Sequence, residues 1–321
     1  MKNIALHSIY SDQILKFLQF REQCGVKNIE NEFPDYRRLD EFIIKQEIKS
    51  ITFTKEHASH WRSPLEGESE TARYKRINNT KRFFEYLFLK GFTVFQFRDI
   101  KAPKSNFTPH IYSEEEITRY FKAVDSYKCS IHRKNCIQFP VLFRILYCCG
   151  TRITETLMIR KKDVDLESGI IKLSETKNAK ERYVVMSEEL LLLMKEFANK
   201  VFYEISDNGY IFRNYRGSCF SSDWISELHV KMLHQADIPY ISNGSGPRLQ
   251  DWRHSFAVNS FRQMIDNGLD MYVALPILST YLGHKTIMAT EHYLRLTVSM
   301  YPYLEKKFER TLNEIFGGDK L

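Results

Sequence analysis

Near the end of the chain stand a tyrosine at position 293, a histidine at 284 and an arginine at 253, in the segments TEHYLRL, YLGH and QDWRHSFA. Upstream lie a second arginine, Arg152 in GTRITETL, and two lysines, Lys177 and Lys180, in TKNAKER. These side-chain types suit chemistry on a phosphodiester. Breaking such a bond without metal or ATP needs a nucleophile, a general base, a general acid and fixed positive charge at the phosphorane-like transition state. A tyrosine hydroxyl can attack, and the phosphotyrosine it forms keeps the bond energy for rejoining. Free tyrosine titrates at ~10, so attack near neutrality needs proton removal or strongly cationic surroundings. Arginine suits the transition state because its charge is permanent and its planar fork can hold two phosphate oxygens.

Taken singly, each residue has a plainer reading: a lone histidine is more often a packing residue, and a lone tyrosine a core or interface aromatic. The combination changes that. His284 and His292 are eight positions apart with no cysteine or carboxylate cluster nearby, which makes a poor zinc site. His254 directly follows Arg253 and is expected to point elsewhere on a helix. The NGSGP segment, residues 243–247, lacks the strand and the spacing of a hydrolase nucleophile elbow.

Apolar spacing predicts helices over Tyr10 to Cys24, Asp35 to Ile48, Thr54 to Trp61 and the segment ETARYKRINNTKRFFEYLFLKGF, which Gly91 ends. The first hundred residues therefore read as a small helical domain. On its fourth helix Arg73, Lys75, Arg76, Lys81 and Arg82 accumulate with almost no acid between them. That is either a solvated face or a surface that contacts phosphates. Residues 99–111, DIKAPKSNFTPHI, carry two prolines and two lysines and no period, as a linker does. The expected domains are thus residues 1–98 and 112–321.

Ser113 and Glu116 form a capping-box start for a helix. Helices follow at Phe139 to Cys149 and Thr151 to Ile159, separated by Gly150. Then the period changes: Gly169 to Leu173 and Tyr183 to Met186 read as a hairpin with a lysine-bearing tip. Ser187 to Ala198 and Asp223 to Ala236 read as helices, Gly209 to Phe212 as a short strand, and Val298 to Phe316 as an amphipathic helix. The fold class expected is mainly α with a small β-sheet.

A formal charge of +7 is consistent with an anionic partner, and 43% hydrophobic residues are enough for buried cores. The six cysteines form no CxxC pair and read as reduced residues rather than disulfides or zinc ligands. No signal peptide or membrane span is legible, so a cytoplasmic protein is expected.

Four segments in order resemble the tyrosine recombinase (phage integrase) family, including recombinases of the Xer type. GTRITETL resembles its first arginine box and TKNAKERYVV its lysine turn. DWRHSFA resembles the second arginine box, and YLGHKTIMATEHY the histidine and tyrosine end. The resemblance spans nearly the whole length. It implies a helical core-binding domain and a catalytic domain forming a C-shaped clamp on double-stranded DNA, with no cofactor and no metal. Arg152 and Arg253 would clamp the scissile phosphate, and Tyr293 would attack it to leave a 3′-phosphotyrosine. Lys177 would protonate the departing 5′-oxygen, with Lys172 in the preceding strand as a further candidate and Lys180 as an ordinary residue of the turn. His284 would hydrogen-bond the phosphate, and Glu155 would buttress Arg152.

In one position the chain departs from the family, which usually carries histidine three residues before the second arginine, where this sequence has Gln250. Glutamine donates a hydrogen bond but takes no proton at neutral pH. Three explanations compete: the tyrosine proton leaves by another route, the enzyme is slow, or the chain only binds DNA. A type IB topoisomerase is the alternative within enzymes. The resemblance also implies a monomer when free, four protomers in the synaptic complex, and a C-terminal segment that docks on its neighbour. Integration, excision, transposition and multimer resolution stay open.

Overall fold

The computed structural model describes residues 5–26, 29–103, 108–128, 136–174, 181–240, 246–284 and 286. The chain divides into two compact units, Met1–Asn106 and Phe107–Leu321. Each has its own apolar core.

The first unit is built from α1 (Ser11–Gln23), α2 (Phe33–Lys45), α3 (Lys55–Arg62) and α4 (Glu70–Leu89). Local signals set the helix starts. Pro34 lies in the first turn of α2, where its missing N–H leaves no bond unmade. Thr54 and His57 form a reciprocal cap on α3, and the Ser69 hydroxyl accepts from the Ala72 N–H at 3.2 Å to start α4. Aromatic rings from α1, α2 and α4 fill the core. Phe17 meets Tyr36 and Phe83 at centroid distances of 6.0 and 5.5 Å, and Phe84 stacks on Phe97 at 5.4 Å.

The basic residues of α4 do not form the one phosphate-facing surface that their spacing suggests. Arg76 is fully buried, and its guanidinium holds both carboxylate oxygens of Glu68 at 2.6 Å. It also donates to the carbonyls of Trp61 and Ser63 and lies 4.5 Å over the Trp61 ring. A side chain so enclosed cannot reach DNA, so Arg76 leaves the list of candidate contacts. Arg73 is half-buried and donates to the Arg62 carbonyl at 2.7 Å. Lys75 reaches the Asn31 carbonyl, Lys81 pairs with Glu85 and Asp99, and Arg82 is exposed. Most of the balancing acid comes from outside α4, where the local sequence does not reveal it.

The second unit contains α5 (Glu114–Ser126), α6 (Phe139–Cys148) and α7 (Ile153–Leu157), then strands β1 (Val164–Asp165), β2 (Ile170–Leu173) and β3 (Arg182–Val185). It continues with α8 (Glu188–Val201), α9 (Ser222–Gln235), α10 (Leu249–Asp266) and α11 (Met271–Leu282). The strands form an antiparallel sheet in the order β1-β2-β3, with Lys172 opposite Tyr183 and Leu173 opposite Arg182. The fold is thus mainly helical with one small sheet, as the change of period predicts.

Helix α6 is apolar on nearly every face because α5, α8 and α10 pack around it. Trp252 of α10 stacks on Tyr112 at 3.8 Å and meets Tyr120 at 4.7 Å. Between α10 and α11 a second cluster gathers Phe261, Leu278 and Leu282.

One strand expectation needs correction. Residues 209–212 form no strand; Tyr210 makes only an isolated bridge to Arg160. The paired strand is instead β1, too short to show a period. Five cysteines, Cys24, Cys136, Cys148, Cys149 and Cys219, are free thiols. Among the described residues no helix is long and apolar enough to cross a membrane. The helix expected over residues 298–316 lies outside the described residues.

Candidate active site

Gly150 begins the site. Its φ of +59° lets the chain turn sharply out of α6, and an added Cβ would stand 2.3 Å from the Phe256 ring. The turn places Arg152 at the start of α7, while the Gly150 carbonyl accepts from Arg253 Nη1 at 2.7 Å. One short loop therefore bears the first arginine and holds the second.

Arg152 is locked onto Glu155. Its backbone N–H donates to Oε2 at 2.9 Å and its Nη1 to Oε1 at 2.6 Å. The same carboxylate accepts a two-pronged pair from Arg182 of β3, Nη1 to Oε1 at 2.9 Å and Nη2 to Oε2 at 2.7 Å. Burial would raise the Glu155 carboxyl, but the hydrogen bonds and charge of Arg182, then those of Arg152, hold it at about 2. Glu155 is therefore ionised throughout the physiological range.

Arg253 is 2% exposed in α10, and its Nη2 donates to the Leu282 carbonyl and lies 3.0 Å from His284 Nε2. Gly283, with φ of +66°, ends α11 in the left-handed conformation, and the His284 N–H then bonds back to the Ser279 carbonyl at 3.0 Å. This turn aims the imidazole at Arg253. A guanidinium only donates, so Nε2 must accept and the proton of the neutral ring sits on Nδ1. Burial, then the charges of Arg253, Arg152 and Arg182, push the His284 pKa down to about 4. The ring is neutral at pH 7.

Arg152, Arg253 and His284 thus come together, with Glu155 behind Arg152. Gln250 lies half-buried one helical turn before Arg253. His254, expected to point elsewhere on the helix, is 4% exposed. Its own pKa falls to about 4 through burial and the charges of Arg248 and Arg253, so it too is neutral. Lys172 pairs with Glu181 at 3.0 Å on β2. Lys177, Lys180 and Tyr293 lie outside the described residues.

Arg182 lies in TKNAKERYVV but is not among the residues to which the resemblance gives a role. Its signal was the two-residue alternation of β3, where Arg182 shares the inward face with the buried Val184 while Tyr183 and Val185 are exposed. An arginine on an inward strand face implies a buried acceptor. Glu155 is that acceptor. Chemically, two arginines on one carboxylate, with Arg253 beside a neutral imidazole, make a positive site suited to a tetrahedral anion.

The phage integrase family model matches residues 111–300. Tyrosine recombinase XerC of Staphylococcus saprophyticus is 23% identical over 288 residues, 88% of this chain and 91% of that protein. A putative integrase/recombinase of Sinorhizobium fredii is 27% identical over 209 residues, and a probable integrase/recombinase of Methanocaldococcus jannaschii 31% identical over 162 residues. The chain spans 66% and 45%, respectively, of the length of these two relatives.

Among solved structures, XerH recombinase bound to palindromic difH substrate in a post-cleavage complex aligns with a TM-score of 0.69. That alignment has 18% identity and covers 93% of this chain and 85% of that one. The Tn1549 transposon integrase with circular intermediate DNA aligns with a TM-score of 0.63 at 16% identity, covering 93% and 99%. These likenesses show a shared fold. The family match makes the assignment particular: the chain belongs to the phage integrase family, and its relatives include tyrosine recombinases.

Proposed function

We propose that this chain is a site-specific DNA recombinase that cuts and rejoins strands through a 3′-phosphotyrosine. The observation that carries the reading is the convergence of Arg152, Arg253 and neutral His284 around one positively charged site. The Tyr293 oxygen attacks the scissile phosphorus, its proton leaves to solvent or to a neighbouring group, and the bond to the 5′-oxygen breaks. Lys177 protonates that leaving oxygen. In the second step a 5′-hydroxyl from the partner strand attacks the phosphotyrosine, releases Tyr293 and restores a phosphodiester. Bonds made and broken are of one kind, so no nucleotide is consumed.

Arg152 and Arg253 neutralise charge on the nonbridging oxygens through both steps. Gln250 supplies a hydrogen-bond donor beside Arg253 and takes no proton. Both units contact double-stranded DNA, with Lys75 and Arg82 among the exposed cations available in the first. A tetramer on two DNA sites, formed from monomers through the segment after Tyr293, completes the reading.

A nicked suicide duplex, selected from a library with a randomised core, tests it. The wild-type chain should form an SDS-stable adduct on the selected duplex, and Tyr293→Phe should bind it without forming one. Specific binding by the wild type with no adduct would leave a DNA-binding protein instead.

A further inference from the structure

We infer that Arg182 is a positioning residue for the phosphate clamp, keeping Arg152 both aimed and electrostatically active by sharing Glu155. The inference rests on the recombinase reading above.

Consider Arg152 and Glu155 alone. The carboxylate would orient the arginine, but the pair would be neutral, and its field at a bound phosphate would largely cancel. A clamp residue so paired is well placed and weak. Arg182 removes that conflict. Its two-pronged contact occupies both oxygens of Glu155, each of which also serves Arg152. Two guanidinium groups and one carboxylate leave one net positive charge. Burial strengthens the effect, because the Glu155 side chain is 1% exposed and that of Arg182 12%.

Arg182 also reaches the other half of the site. A Cβ on Gly283 would come 3.2 Å from Arg182 Cδ, so the arginine shaft packs against the turn that presents His284. Its charge is one of those that keep the His284 ring neutral. The one side chain from β3 thus abuts the Arg152 brace on α7 and the imidazole turn after α11. Lysine could supply the charge but not the fork.

The full-length chain tests this in single-turnover adduct formation on the selected nicked duplex. The scissile linkage is either phosphate or methylphosphonate, which lacks one anionic oxygen. Arg182→Ala should slow adduct formation on phosphate about 10- to 100-fold. On methylphosphonate, where there is less charge to neutralise, the gap between wild type and variant should shrink to about threefold or less. Adding Glu155→Gln to Arg182→Ala should recover part of the loss on phosphate, since it releases the charge of Arg152.

Arg182→Lys should fall between wild type and Arg182→Ala. If Arg182→Ala does not fold, the same two-linkage ratio is read from Arg182→Lys. An unchanged rate on phosphate overturns the inference, and so does an equal loss on both linkages, the mark of a scaffold role. A wild-type chain that binds the duplex but forms no adduct overturns the recombinase reading itself, a result distinct from either.

Discussion

Among the described residues two arginines are buried almost completely, Arg76 in the first unit and Arg253 in the second, and the contacts described for them differ in kind. Arg76 is neutralised by both oxygens of Glu68 and covered by the Trp61 ring. Arg253 donates to the carbonyls of Gly150 and Leu282 and lies beside the imidazole of His284, contacts that orient its guanidinium. The buried charge is thus held by a carboxylate in one unit and, on the recombinase reading, set beside the scissile phosphate in the other. Arg152 stands between these cases, because its carboxylate is shared with a second arginine.

Breaking the second case should have the largest effect on activity. Arg253→Lys should lower the rate of adduct formation at least about 10²- to 10³-fold while most DNA binding remains, because a point charge cannot replace the fork. An unchanged rate would remove Arg253 from the clamp. Breaking the first case should act on stability instead. Arg76→Ala strands Glu68 in the interior and should cost about 3–5 kcal/mol in denaturant unfolding of the first unit. Replacing both partners with Arg76→Met and Glu68→Leu should recover most of that loss. No comparable apolar exchange should recover Arg253.

The neutral histidines sharpen the comparison through pH. Burial lowers His229 to about 3, and His254 and His284 are held at about 4. The unfolded chain takes up these protons below ~6.5, whereas the folded second unit refuses them. Stability is therefore fully present above that pH and is lost as pH falls toward 4. Glu155 adds stability above its unfolded pKa of ~4.3, lost as pH falls through that value toward 2. His229→Gln should flatten the slope of the urea midpoint against pH between 6.5 and 4, and an unaltered slope would exclude His229 as a source. The smallest expected effect is that of Gln250→His, which should leave the adduct rate equal or raise it a few-fold, about tenfold at most. A fall would mean that the site is built around glutamine.

Much of this was legible before folding. The Ser113–Glu116 capping box, the apolar run of α6 and the hairpin pairing of β2 with β3 all follow from signals a few residues apart. The order of the arginine, lysine, arginine and histidine–tyrosine segments was equally local. Arg76 is misleading because its acid lies eight residues back, before α4 begins, and its carbonyl partners, Trp61 and Ser63, lie at the end of α3 and just after it.

The amino-acid sequence by itself determined the helices, the hairpin and the chemical types available for phosphate transfer, because caps, periods and side-chain groups are properties of short segments. Tertiary structure alone decided which charges are spent. Whether an arginine meets a carboxylate, a carbonyl dipole or a shared acid depends on residues tens of positions apart, as Gly150, Arg253 and Leu282 are. The same holds for Glu155, which the sequence offered to one arginine and the fold gave to two.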